Sequence, residues 1–492
     1  NRDYISIIKT DNIAPLYREL GQSVGVVTDD MQTPAERRAA YACDITYTTN
    51  KQIGFDYLRD RAGGHTRSRL DRLLQRCGET MQQPVLRGLC FGIVDEADSV
   101  LIDEATTPLI LARAVKNSPA PEHYGVALAC AARLQQGRDY TQHDRRIDLT
   151  PHGREYIEKL LSRLDAFWRR RDNREGLIEQ ALRTINLYVR DQHYLVIDGK
   201  VKIIDANTGR CLDGRTWERG LHQLIETREK VELTPVTEAT DRISYQQLFS
   251  RYLRLGAMTG TAAEVAPELL TTYKLKVVRV DSHRPSRRTN LGTHVCADTE
   301  TKLRAIVERV KQLHTSGQPV LIGTRSVASS EELSAHLTAA GLNHAVLNAR
   351  HDAREAEIVA RAGQRGQITI ATNMAGRGTD IELGSGVAAL GGLHVIVSSP
   401  NDARRLDRQL QGRCGRQGDP GSFETYISPD DEIVKHVKAL KRCRVHHETR
   451  ILCNAAVRLA QRNIERKQRF MRKRLARSEE QLGSALAFAA IR

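Results

Sequence analysis

The sequence predicts an α/β chain of two parallel-sheet lobes, the first interrupted by an inserted α+β domain. Three observations carry this reading. Short apolar runs ending abruptly in acidic or glycine-arginine turns recur in two separate stretches, as strands do when they deliver side chains to the carboxyl edge of a parallel sheet. Between residues 113 and 234 the texture changes to charged helical sequence with one hairpin signal. Around Leu253 to Ala262 the earlier style resumes. The expected layout is 1–112 for the first part of lobe one, 113–234 for the insertion and 235–290 for the rest of lobe one. Lobe two then covers 291–440, and a helical segment 441–492.

In chain order, Val24-Gly25-Val26-Val27 and Ile45-Thr46-Tyr47-Thr48 read as strands, and Phe91-Gly92-Ile93-Val94 is an apolar run that stops at an acidic cluster. A break at Asn117-Ser118-Pro119-Ala120-Pro121 opens the insertion. Within it, residues 194 to 204 predict a hairpin turning at Asp198-Gly199, the dipeptide that suits a two-residue turn with positive φ. In the second lobe Val320-Leu321-Ile322-Gly323, Ile368-Thr369-Ile370-Ala371 and His394-Val395-Ile396-Val397 are the expected strands. From Lys441 the pattern is helical, with Ala456, Ala460, Ile464, Met471 and Leu475 on one stripe. Lys441 to Arg477 holds thirteen Lys/Arg against two Glu, which suits a basic helix packed by its apolar stripe.

Composition narrows the function classes. The net charge of +15 favours acidic partners such as nucleotides, nucleic acid or anionic membrane surfaces. No run of 18 apolar residues occurs, which argues against a membrane-spanning helix. Nine scattered cysteines with no CxxC pair argue against a zinc site and fit reduced thiols in the cytoplasm. The chain opens on Asn1 rather than Met, as a fragment or processed product does.

The chemistry concentrates in three places. Asp95-Glu96-Ala97-Asp98 follows directly on an apolar strand. Such an acidic pair suits nucleoside triphosphate hydrolysis: one carboxylate holds Mg²⁺, usually through water, and the next orients or deprotonates the attacking water. Residues 371 to 380 (ATNMAGRGTD) leave a strand into a glycine-rich turn. There Gly376 and Gly378 let backbone approach phosphate, Arg377 can counter charge developing on the γ-phosphate, and Asp380 can accept from ribose hydroxyls or Arg. Arg413 and Arg416 in Gln409 to Asp419 (QLQGRCGRQGD), beside Gln417, are three apart, so a helical turn would place them on one face. Forked guanidiniums there suit stabilisation of phosphoryl transfer from the opposite lobe. The hydroxyls of Met258-Thr259-Gly260-Thr261-Ala262, where the first lobe resumes, can couple the acidic pair to lobe movement.

At this point the motifs resemble a known family. YTTNKQIGFDYLRD (47–60), VDEADSVLIDEATTPL (94–109), GAMTGTA (256–262), ATNMAGRGTDI (371–381) and QLQGRCGRQGD (409–419) resemble, in order and in register, the motor motifs of SecA. The resemblance implies two RecA-like lobes and an inserted domain similar to the preprotein cross-linking domain, with Asp205 to Arg210 like its strand and turn. It also implies the start of a long scaffold helix at Ala460 to Lys467. By the same resemblance Asp95 assists Mg²⁺ and Glu96 is the catalytic carboxylate. Asp380, Gly376, Gly378 and Gln417 meet ATP, and Arg377, Arg413 and Arg416 act from the second lobe. The implied activity is an ATPase that drives protein translocation across the cytoplasmic membrane from its inner face. The implied partners are preproteins, a membrane translocon channel and an anionic lipid surface, with homodimerisation left open and nucleic acid not expected.

The departures matter too. The family's Gly-x-Gly-Lys-Thr loop precedes the segment that Asn1 to Tyr4 resembles, and no GKT or GKS string occurs in this chain, so ATP binding by this polypeptide alone is expected to be poor. Thr106 stands where the family has Arg, Ala206 where an acid is usual and Gln411 where Arg is usual, which touches inter-domain coupling more than hydrolysis. Two further readings stay open. A nucleic-acid helicase or translocase fits the charge, and a non-hydrolysing module that docks preprotein or translocon fits the missing loop.

Overall fold

The computed structural model describes residues 10, 13–63, 84–114, 119–143, 146–204, 211–212, 216–347, 355–372, 380–435 and 449–489. The chain divides into two compact units, Asn1–Leu111 with Asp241–Arg492, and Ala112–Thr240. Among the described residues no helix is long and apolar enough to cross a membrane.

In the larger unit the first lobe opens on two parallel strands, Val24–Val27 and Ile45–Thr48. The helix between them, Pro34–Ala42, starts where its sequence says it should. Thr33 caps the N–H of Glu36, the Glu36 carboxylate returns to the Thr33 N–H, and Pro34 occupies the first turn, where no donor is needed. A second helix, Asn50–Ala62, is capped by Thr49 and buries Ile53, Tyr57 and Leu58. Strand Phe91–Asp95 pairs in parallel with Arg254–Met258, so both deliver their carboxyl ends to the same edge. One apolar core joins sequence from either side of the insertion, with Leu58, Leu101, Ile102 and Leu109 packed with Ile243, Tyr245 and Leu248.

The second lobe is a six-stranded, all-parallel sheet. Across it run Arg287–Val295, Pro420–Ile427, Leu393–Val397, Val320–Thr324, Ile368–Thr372 and Ala345–Leu347. The three expected strands are its centre and are buried at every position, because helices cover both faces of a parallel sheet. Helices Thr299–Thr315 and Val327–Ala339 supply the core on one face, and Val359, Ile381, Leu410 and Cys414 pack on the other.

The helix Thr449–Ala489 touches both lobes. Its Cys453, Val457 and Ala460 pack on Ile427, Ile433 and Val434 of the second lobe. Further along, Arg472 forms a two-pronged pair with Glu268 of the first lobe at 2.7 and 2.8 Å, and Glu479 accepts from the Ser244 N–H. Ala456, Ala460 and Ile464 of the expected stripe do face that core, but Met471 is 62% exposed. At that depth polar contacts replace apolar ones, and Arg472 and Glu479 take the inward face.

The unit Ala112–Thr240 is α+β. Helices Pro121–Ala131, Pro151–Leu161, Arg171–Leu187 and Leu221–Glu229 enclose a core of Ile147, Ile157, Trp168, Ile178 and Leu224. The hairpin is present: Tyr194–Ile197 pairs antiparallel with Lys200–Ile204, and Asp198 and Gly199 both have positive φ, at 51° and 69°. Residues 205–210, which carry the family-like turn string, lie outside the described residues.

Candidate functional site

Asp95 is the last residue of its strand and is exposed, and Glu96 follows at the sheet's carboxyl edge. Glu96 has φ +52°, a left-handed conformation that costs a non-glycine residue of order 1 kcal/mol or more and persists only where the surroundings impose it. Two local devices hold it. The Glu96 N–H donates to Asp95 Oδ1 at 2.8 Å, and the Glu96 carbonyl accepts from the N–H groups of Ser99 and Val100 at 2.9 and 3.2 Å. The chain then winds through a π-helical stretch, Ser99–Asp103, and Asp98 just before it and Asp103 at its end both meet side chains of the second lobe.

Asp98 is fully buried. Its Oδ1 accepts from the Thr259 hydroxyl at 2.6 Å and its Oδ2 from the Thr261 hydroxyl at 2.8 Å, so the threonine turn does reach the acidic segment. The second lobe contributes the helix Arg404–Gln411, where Arg405, Arg408 and Gln409 share one face at spacings of three and four. Gln409 Nε2 donates to Asp98 Oδ2 and, at 3.0 Å, to Thr261 Oγ1. Arg405 grips Asp103 with two prongs, one of them 2.6 Å, and lies 3.7 Å from Asp98. Arg408 pairs with Glu264 at 2.6 Å. Burial works against the Arg405 charge, but the Asp103, Asp98 and Glu465 carboxylates outweigh it and hold its pKa above the ordinary value.

Arg416 pairs with Asp380 at 2.7 Å inside the second lobe and donates from Nε to the Gly412 carbonyl. Arg413 lies just past the helix, with its N–H on the Leu410 carbonyl. Gln417 also has positive φ, +54°, between Gly415 at +63° and Gly418 at +82°. Gly376, Arg377 and Gly378 lie outside the described residues.

Thus the structure brings Asp95 and Glu96 together, and separately Asp380 with Arg416. Among the described residues, the lobes are joined through Thr261, whose turn was expected to couple the acidic segment to lobe movement, and through Asp98, Asp103, Glu264, Arg405, Arg408 and Gln409, which had no expected role. Their signal was present in part, because Gln409 opens the glycine-arginine string and Arg405, Arg408 and Gln409 have the spacing of one helix face.

Two parallel-sheet lobes joined through the segment behind an acidic strand end define a RecA-like motor fold. Comparison with known proteins narrows the class. The model of the SecA DEAD-like domain matches residues 1–270, and that of the SecA P-loop domain matches residues 285–389 and 384–448. The chain belongs to the SecA family. It is 45% identical over 489 residues to protein translocase subunit SecA 2 of Nitrosospira multiformis, covering 96% of this chain and 73% of that protein. To protein translocase subunit SecA of Syntrophus aciditrophicus it is 42% identical, covering 88% of this chain and 50% of the other. Among solved structures, the E. coli DEAD-box protein SrmB is 22% identical over 33% of this chain and 94% of that chain, with a TM-score of 0.26.

Proposed function

We propose that this chain forms the two-lobed motor of an ATPase that drives protein translocation at the inner face of the cytoplasmic membrane. The observation that carries the reading is the seating of Arg405 and Gln409 of the second lobe on Asp103 and Asp98 of the first. These two acids sit a few residues after Asp95 and Glu96, so a change at the acidic strand end has a direct mechanical route into the other lobe.

In this reading Glu96 orients and deprotonates the attacking water, and its imposed backbone conformation fixes where the carboxylate points. Asp95 fits Mg²⁺ chemically: it is a hard oxygen donor, exposed, with one oxygen already aligned by the Glu96 N–H. Mg²⁺ bound there neutralises charge on the ATP phosphates. Asp380 holds Arg416 in place beside Gln417, and Arg377, Arg413 and Arg416 counter the charge that develops on the transferred phosphoryl group. Gly376 and Gly378 admit the phosphates. The phosphate-binding GKT loop is not in this sequence, so turnover is a property of a protein that carries it. The unit Ala112–Thr240 contacts preprotein, and the basic surface meets the translocon channel and anionic lipid.

The test measures ATP turnover by the full-length protein with translocon-containing anionic vesicles and, separately, with RNA or DNA. Stimulation by the vesicles and not by nucleic acid supports the translocation motor. Stimulation by nucleic acid alone would replace it with a helicase-type function.

A further inference from the structure

We infer that Arg284, on the segment through which the chain passes from the first lobe to the second, and Arg288, at the start of the strand that segment enters, are positioning residues for the loop that carries Arg413 and Arg416. The inference rests on the motor reading above. The passage runs from the end of helix Ala266–Tyr273 in the first lobe to the start of strand Arg287–Val295 in the second. There it lies beside the loop, because Arg287 and Arg288 are in parallel register with Pro420 and Gly421, the residues that follow it.

The loop needs holding. Gly415, Gln417 and Gly418 all have positive φ, and one of them is not glycine. Arg288 Nε donates to the Cys414 carbonyl at 2.9 Å, and Arg284 donates from its guanidinium to the Gln417 carbonyl at 3.3 Å. Both arginines also pack on the loop with their stems. A Cβ added at Gly415 would lie 3.0 Å from the Arg288 Cβ, and one at Gly418 would lie 3.0 Å from the Arg284 Cδ. The two glycines are therefore where the arginines come close, and the two carbonyls bracket Gly415, Arg416 and Gln417. Any change in lobe separation pulls on residues 274–286, and these two side chains pass that displacement to Arg416 and its partner Asp380.

The experiment has two arms. In the chain itself, amide exchange over residues 413–418 and alkylation at Cys414 read the grip with no nucleotide present. Cys414 is buried and its thiol is pushed up to about 11 by burial, so it reacts only when the loop opens. Arg288→Ala is expected to raise both rates at least about tenfold, and Arg284→Ala about threefold. Arg284→Lys, whose terminal amine still reaches the Gln417 carbonyl, is expected to stay at the wild-type rate. In the full-length protein, Arg288→Ala and Arg284→Ala are expected to lower kcat about tenfold or more with KM for ATP within about threefold, as loss of a transition-state contact does. If Arg288→Ala fails to fold, Arg284→Ala, at an exposed side chain, takes its place. Wild-type exchange in these variants overturns the grip, and unchanged kcat despite faster exchange overturns the positioning role. A wild-type protein without ATP turnover defeats the motor reading instead, and the exchange arm still decides the grip.

Discussion

Arg405 of the second lobe holds Asp103 of the first with both arms of its guanidinium, and the two side chains are 1% and 11% exposed. Neighbouring Asp98 is also within 3.7 Å of the same cation. Truncating Arg405 to Ala leaves the buried Asp98 carboxylate and the partly buried Asp103 carboxylate without their cation, a loss on the order of 3–5 kcal/mol. Urea unfolding of the larger unit should show it as a lower midpoint. Arg405→Lys should recover only part, because a point charge cannot engage both oxygens. A variant as stable as wild type would mean the pair contributes nothing to joining the lobes.

Gln409 and Thr261 share Asp98 Oδ2, so their effects should not add. Gln409→Ala removes a donor to a buried carboxylate and is expected to cost about 1.5–3 kcal/mol. In a double-mutant cycle with Thr261→Val the coupling should exceed about 0.5 kcal/mol. Strict additivity would show that the two hydroxyl and amide donors act independently and that no shared junction exists.

Asp407 sets a pH dependence. Its Oδ1 accepts from the Asn401 N–H and side-chain amide, and its Oδ2 from Gln461 of the long helix at 2.7 Å. Burial nonetheless raises its pKa from 3.8 to about 6, so the fold favours the protonated form. That contribution is fully present below about pH 4 and is lost as pH rises through about 6, a change of about 3 kcal/mol. Stability measured from pH 4 to 7 should carry this falling component in wild type and lack it in Asp407→Asn. The same slope in both proteins would assign the dependence to other groups.

Some of this was readable from local sequence. The acidic strand end is visible because Phe91 to Val94 is apolar and the charge begins abruptly at Asp95. The hairpin is visible because Asp198-Gly199 tolerates the positive φ that the turn demands. The central strands of the second lobe are visible because burial on both faces makes them continuously apolar. Its outer strands escaped, since Arg287–Val295 is polar and largely exposed, as an edge strand can be. The inter-lobe junction escaped for a different reason. Helix Arg404–Gln411 meets the first lobe through the Arg405 guanidinium and the Gln409 amide, so hydrophobic periodicity does not reveal that face. Arg405 and Asp103 stand 302 residues apart, and no local rule pairs them.

The proposed role of Glu96, the carboxylate that activates water in an ATP-driven motor, rests on a single functional group that one substitution removes. Glu96→Gln keeps the size of the side chain and leaves Asp95 in place, but the amide cannot take a proton from water. Single-turnover hydrolysis and equilibrium ATP binding, measured together on the full-length protein, separate chemistry from affinity. Hydrolysis is expected to fall to background while ATP affinity stays within about threefold. Turnover within a few-fold of wild type would contradict it, and the left-handed conformation of Glu96 would then need another explanation.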